Sequence, residues 1–313
     1  MATAHETETS APGGSFRAAG DGNPTAAERE SVRTSPLTGD EILEFSQRGM
    51  LRPGKVFTND QVESFRSALQ RAREREQAAG REYDLLDPSL WPDDEKPPPE
   101  PGKTVGFLFN LWLFDNDYRQ ISFNPVLARW ASQLIGARQV RVLEDNALYK
   151  EPGVGGSLHW HQDFSYWPLA QPNALTAWVA LDDVEEKNGA MKMAAGSHLT
   201  GETLPGAFST GTTYLADKRP KTVAAIRDPE ELGWDIETIT LKKGEVSIHH
   251  PLMWHASGPN TSDRPRRAAI VRYVGDGTIW LGSQRYEYNY SDDEVGIAIG
   301  EPLGGRYFPI VPF

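Results

Sequence analysis

The chain has 313 residues, enough for one large β or α/β domain or for two average ones. It contains no Cys, which excludes a disulfide scaffold, an iron–sulfur cluster, a Cys nucleophile and a thiolate zinc finger. Thirty-two basic residues against 44 acidic ones leave a net charge of −12, a surface that repels phosphate backbones and argues against nucleic acid as a partner. No apolar run approaches the ~20 residues that span a bilayer. The opening MATAHETETSAPGGS has neither the basic nor the apolar region of a secretory signal. The expectation is a soluble cytoplasmic protein with no membrane partner.

Residues 1–35 are rich in Ala, Gly, Ser, Thr and Glu and nearly free of large apolar side chains, the composition of a disordered tail. Residues 36–313 are then expected to form a single domain. DEILEFSQR (40–48) predicts a short amphipathic helix ended by Gly49, and 50–57 a strand broken at Pro53-Gly54. Thr58 with Gln61 has capping-box spacing and opens a helix to about Ala79, with Val62, Phe65, Leu69 and Ala72 on one face and Gly80 as its stop. The Pro-rich stretch 87–103 must be an irregular loop and is a lid candidate. A further helix is expected over Pro125–Ile135, closed by Gly136. Beyond it the texture turns to β, with strands expected at 139–149, 175–182, 190–194, 237–241, 245–250 and 268–274. Helices first and strands later argue against a doubly wound fold. The economical answer is mainly β, a barrel carrying a helical N-terminal layer.

Of the seven His, six fall between positions 159 and 255. His161-Gln162-Asp163, followed much later by His255, has the spacing of a facial triad, in which two imidazoles and one carboxylate hold one face of a ferrous ion and leave the other positions open. On a strand, His161 and Asp163 point to the same side. The pair alone admits a plainer reading, a hydrogen-bonded core histidine beside a turn-capping aspartate. Downstream of His255, ASGPNTSDRPRR leads into the apolar strand AAIVRYV, which places arginines where one can grip a carboxylate bidentately. A dicarboxylate such as 2-oxoglutarate needs that arrangement, one end at the metal and the other at an arginine.

Three stretches, HWHQDFSYWPL (159–169), LTAWVALDDVEEKNGAMKMAAGSH (175–198) and HASGPNTSDRPRRA (255–268), carry a resemblance to the phytanoyl-CoA dioxygenase family of iron(II)- and 2-oxoglutarate-dependent oxygenases. Weaker similarity reaches back to about residue 40. The resemblance implies a double-stranded β-helix (jelly-roll, cupin-like) core. His161, Asp163 and His255 match the iron ligands, Arg266 the arginine for the distal carboxylate of 2-oxoglutarate, Ser257 its supporting serine and Trp178 an aromatic lining that pocket. Arg264 and Arg267 are the neighbouring competitors of Arg266. Ala195 stands where the family often has Pro, which predicts a looser turn. The intact Asp163 favours oxygenation over halogenation.

The implied cofactors are Fe(II), 2-oxoglutarate as co-substrate, and O2. The implied reaction couples decarboxylation of 2-oxoglutarate, to succinate and CO2, to hydroxylation of a small organic molecule. An Ala/Gly/Arg-rich composition points to bacterial secondary metabolism. Desaturation, epoxidation or cyclisation are alternative outcomes of the same oxidant. A non-oxidative metal-dependent isomerase or hydrolase, and a non-catalytic small-molecule-binding jelly roll, are the alternatives from other classes. His159 is read as packing or support for a ligand, His198 as pinning a turn, and His249 and His250 as donors to a ligand or substrate, or simply buried. Tyr149, Lys150, Trp167 and Trp254 are the candidates for the substrate pocket, with Trp160 and Tyr166 beside them, and RYEYNY (285–290) is a second lid candidate. Oligomeric state is not legible.

Overall fold

In a computed structural model of the protein, residues 32–79, 105–153, 157–201, 229–283 and 290–313 are described. The tail to residue 31, the Gly80 stop, the 87–103 loop, residues 285–289 and the His159 side chain lie outside the described residues. Residues 33–35, expected in the tail, are held. Arg33 pairs with Glu41 and donates to the Pro53 carbonyl, and Trp130 Nε1 donates to Ser35 O at 2.9 Å.

Caps set the helical layer. Thr38 and Glu41 form a capping box for α1 (Gly39–Arg48), and Gly49, at φ 75°, closes it in the left-handed region. A Cβ on Gly49 would lie 2.4 Å from His198 Nδ1, so both backbone and space require glycine there. Thr58 and Gln61 cap α2 (Asn59–Ala78) in the same way. Asp115 caps α3 (Asn116–Ser122), a helix the sequence reading did not resolve. Asn124, Pro125 at the first turn and left-handed Gly136 delimit α4 (Pro125–Ile135) at the expected residues.

The strands form two antiparallel sheets. In the larger, the order is β1 (Met50–Lys55), β8 (Glu245–His249), β5 (Ala174–Ala180), β10 (Arg266–Gly275), β3 (Val140–Lys150), β11 (Ile310–Val311), with β2 (Val105–Phe109) also on β3. In the smaller it is β4 (Leu158–His161), β9 (His255–Ser257), β6 (Met191–Ala194), β7 (Ile236–Ile239). Pro53-Gly54 does not end β1 but produces a register shift between Leu51 and Gly54. The short helix α5 (Asp292–Val295) lies in the C-terminal region.

Period-two alternation sorts the large sheet's side chains. One face, with Ala147, Tyr149, Ala177, Val179, Ile248, Ala269 and Val271, packs under the helices against Phe65, Leu69, Ile121 and Trp130. The other, with Leu148, Trp178, Ala180, Ala268 and Ile270, faces Met191, Met193 and Ile239 of the small sheet. This is the expected jelly roll under a helical layer, with a second apolar core between its sheets. Polar side chains on that inner face are therefore exceptions that require partners or ligands.

Candidate active site

A bulge builds the triad. On β4, Leu158 pairs with Ser257 but His161 pairs with His255, so three steps on one strand oppose two on the other. The extra residue turns His161 to lie across from His255, with ring centroids 4.1 Å apart. Gln162 continues extended, and Asp163 opens a 3-10 turn over Asp163–Tyr166. One potential ligand atom from each of His161, Asp163 and His255 lies within 4.8 Å of the others, and all three residues are buried. The extended backbone at Gln162 keeps Asp163 on the side of His161, although Asp163 itself lies beyond the strand.

The protonation states suit a cation. Burial, then the neighbouring His161, pushes the His255 imidazole well below its usual range and keeps it neutral. His255 Nδ1 lies 3.0 Å from Met253 O, which fixes the proton on Nδ1 and leaves Nε2 as a lone pair, 3.9 Å from Asp163 Oδ1. For Asp163, burial favours the neutral acid, but the Arg272 charge and a hydrogen bond from His249 outweigh it and hold the carboxyl well below the usual range. Two imidazoles, that of His255 with its Nε2 lone pair free, and an anion form the donor set of a non-haem divalent metal centre.

The three arginines of RPRR separate. Arg264 pairs with Glu185 at the surface, 3.2 Å away. Arg267 points to the outer face and donates to Asp182. Arg266 points inward and is fully buried, with its guanidinium 5.4 Å from the Trp178 ring. Its Nη2 donates to Gly189 O at 2.7 Å, while Nε and Nη1 have no partner among the described residues. Lys150, the cross-strand neighbour of Arg266, is equally buried and donates to Ser257 Oγ at 2.8 Å and to Gly258 O. Burial, then the Arg266 charge, pulls the Lys150 ammonium well below its usual range, and burial brings Arg266 down to about 10. Neither cation has an ion-pair partner among the described residues. Two buried cations without a counter-ion are costly unless an anion completes them. Ser257 stands two residues beyond His255 on β9, so this anion seat adjoins the triad.

The substrate-pocket candidates divide. Tyr149 lies on the wrong face, under the helices, with the Arg73 guanidinium 4.1 Å from its ring. Strand alternation is the reason, since Lys150 faces inward. Lys150 is engaged with Ser257 rather than exposed to a substrate. Trp167 is buried beside the Arg272 guanidinium, and Trp254, the residue before His255 in sequence, is buried. The Tyr166 ring stands 6.3 Å from that of His161. His198 pins a turn as expected, through Ser46 O at 3.1 Å. Four inward residues were missed: Thr176, Glu144, Asn146 and Arg272. Arg272 interrupts the apolar run AAIVRYV on the same face as Arg266, a signal legible in the sequence.

A profile of the phytanoyl-CoA dioxygenase (PhyH) family matches residues 45–268. The chain belongs to the phytanoyl-CoA dioxygenase family. The chain is 33% identical over 145 residues to a probable alpha-ketoglutarate-dependent hypophosphite dioxygenase of Stutzerimonas stutzeri, covering 46% of this chain and 49% of that protein. It is 24% identical over 246 residues to the ectoine dioxygenase of Bordetella parapertussis, covering 76% and 75%. The chain thus spans about half the length of several curated relatives it matches. The fold is similar to that of SnoK, a non-heme alpha ketoglutarate dependent carbocyclase from nogalamycin biosynthesis, at TM-score 0.67 and 23% identity over 93% of this chain and 100% of that one. Among the described residues no helix is long and apolar enough to cross a membrane.

Proposed function

We propose that this family member is an Fe(II)- and 2-oxoglutarate-dependent oxygenase acting, as one domain in the cytoplasm, on a small organic molecule. The observation that carries the reading is the buried, half-unpartnered Arg266 beside Lys150, adjoining a His161–Asp163–His255 cluster. A zinc hydrolase on the same frame has no use for that anion seat, and a passive binder has no use for the cluster. The names of relatives, which act on hypophosphite, ectoine and L-proline, favour a compact polar substrate. Neighbours named for nogalamycin biosynthesis favour a role in bacterial secondary metabolism.

His161, Asp163 and His255 would hold the iron, which when bound supplies activation of dioxygen coupled to loss of CO2 from 2-oxoglutarate. The balanced sum is substrate C–H plus 2-oxoglutarate plus O2, giving substrate C–OH, succinate and CO2. Asp163 remains ionised and offsets part of the metal's charge. Arg266 and Lys150 neutralise the distal carboxylate, Ser257 shares a hydrogen bond with Lys150, and Trp178 lies under the Arg266 guanidinium. Leu148, Ala268 and Ile270 keep the intervening floor apolar and exclude water. Hydroxylation is the default outcome. The carbocyclase and epimerase names of structural neighbours indicate that the same frame serves other oxidations.

Succinate release on a panel of small amines, amino acids and polyketide-like alcohols tests the proposal. Wild type releases succinate with iron(II), and Asp163→Ala releases none. Arg266→Ala weakens 2-oxoglutarate binding by about 30-fold or more, since removing one partner of a buried charge pair costs about 2–5 kcal/mol. Full turnover by Asp163→Ala would overturn the ligand assignment.

A further inference from the structure

Asp163 is held by three side chains from three strands. Thr176 Oγ1 of β5 donates to Oδ2 at 2.6 Å. His249 Nε2 of β8 lies 3.2 Å from the same oxygen, which, like any carboxylate oxygen, accepts. Arg272 Nη2 of β10 reaches Oδ1 at 3.4 Å, while its Nη1 is anchored on Glu144 Oε1 of β3 at 2.7 Å. Register explains the convergence. Glu144, Arg272, Thr176 and His249 are successive cross-strand partners, one inward row across the large sheet. A carboxylate offers about four acceptor sites. Three are taken, both of those on Oδ2 and one on Oδ1, and the remaining one belongs to the oxygen 3.9 Å from His255 Nε2.

We propose that Thr176, His249 and Arg272 are positioning residues that preset Asp163 to give a metal one oxygen, Oδ1, and no more. This rests on the reading of His161, Asp163 and His255 as metal ligands. The arrangement matters because a carboxylate free to turn can bind through both oxygens and occupy a position that co-substrate or dioxygen needs. The row spends polar groups on one aspartate for that purpose. Asp163 would make a ligand without them, but one of undefined orientation.

The test is an anaerobic titration of metal-free protein with Co(II), whose visible bands report coordination number without turnover. Thr176→Val and His249→Phe are each expected to weaken Co(II) binding about 10-fold or more and to change the band intensities. Thr176→Ser and His249→Gln, which restore a donor at each place, are expected to keep wild-type affinity and spectrum. Wild-type affinity and spectrum in Thr176→Val and His249→Phe would overturn the proposal. Loss of Co(II) binding by the Ser and Gln variants, folded by circular dichroism, would overturn it too, because restoring the donor would then restore nothing. If His249→Phe does not fold, Thr176→Val against Thr176→Ser decides alone. A wild-type protein that takes up no Co(II) would instead sink the metal reading on which the proposal stands.

Discussion

Asp145 lies on the helical side of β3, fully buried, accepting from Ser122 Oγ at 2.6 Å and from the Trp112 backbone N–H at 3.1 Å. Burial is the largest influence on it and, against the lowering pull of those hydrogen bonds, pushes its carboxyl up to about 7. An unfolded Asp titrates near about 3.9, so between about pH 4 and pH 7 the folded state binds more protons than the unfolded one. The stability this group supplies is complete below that window and is lost as pH rises through it. Asp145→Asn removes the titration and keeps an acceptor. Its melting temperature relative to wild type should rise between pH 5 and pH 8, and a constant difference in thermal melts would contradict the sign. At the anion seat, Lys150→Met should raise the dissociation constant for 2-oxoglutarate about 10-fold or more while Co(II) affinity stays at the wild-type value. Isothermal titration separates the two, and unchanged 2-oxoglutarate affinity would return Lys150 to a packing role. The His161-Gln162-Asp163 pair stood out in the sequence because its two chemistry-bearing residues are local, whereas His255 and Arg266 were assigned through the family resemblance, which supplied the long-range link. Tyr149 was misread because which face of β3 looks inward depends on pairing with β10 and β2, which local sequence does not contain.

At the scale of the element, punctuation decided what could be read. The bounds of α4 agree with expectation because Asn124, Pro125 and Gly136 mark both ends. The Thr58–Gln61 capping box was read from its spacing, whereas the Thr38–Glu41 box is seen in the structure alone. Thr58→Ala should cost about 1 kcal/mol in denaturant unfolding, the worth of a side-chain N-cap, without altering metal binding. No loss would mean that packing of Val62 and Phe65 alone holds the helix end. Helix α3 escaped notice because few of its seven residues are apolar, and β9 because three residues carry no periodicity. The bulge in β4 is invisible to alternation by nature, since it is a departure from it. Yet that bulge places His161 opposite His255, so the element least readable from sequence is the one the site depends on.

For the whole molecule, the sheets divide the labour. The small sheet contributes His161, His255 and Ser257, and the large one contributes Arg266, Lys150 and the row that holds Asp163. The apolar contacts of the helical layer are made mainly with the far face, where they stiffen the large sheet from behind. Trp130→Ala, in that layer, should therefore cost about 3–5 kcal/mol of stability. The folded fraction should still bind 2-oxoglutarate with unchanged affinity, and a parallel loss of affinity would mean that the layer reaches the site. The fold class followed from the order of helices and strands together with the family resemblance, whereas the strand order required long-range pairing that no single segment records. On the proposed function, one buried site takes iron(II) and 2-oxoglutarate together. The direct measurement is an anaerobic titration of metal-free protein with iron(II) and then 2-oxoglutarate, followed by visible absorbance. A new visible band is expected that saturates near one equivalent of each, is absent in Asp163→Ala and His255→Ala, and needs much more 2-oxoglutarate in Arg266→Ala. Iron bound with no band at any 2-oxoglutarate concentration would contradict the proposed function.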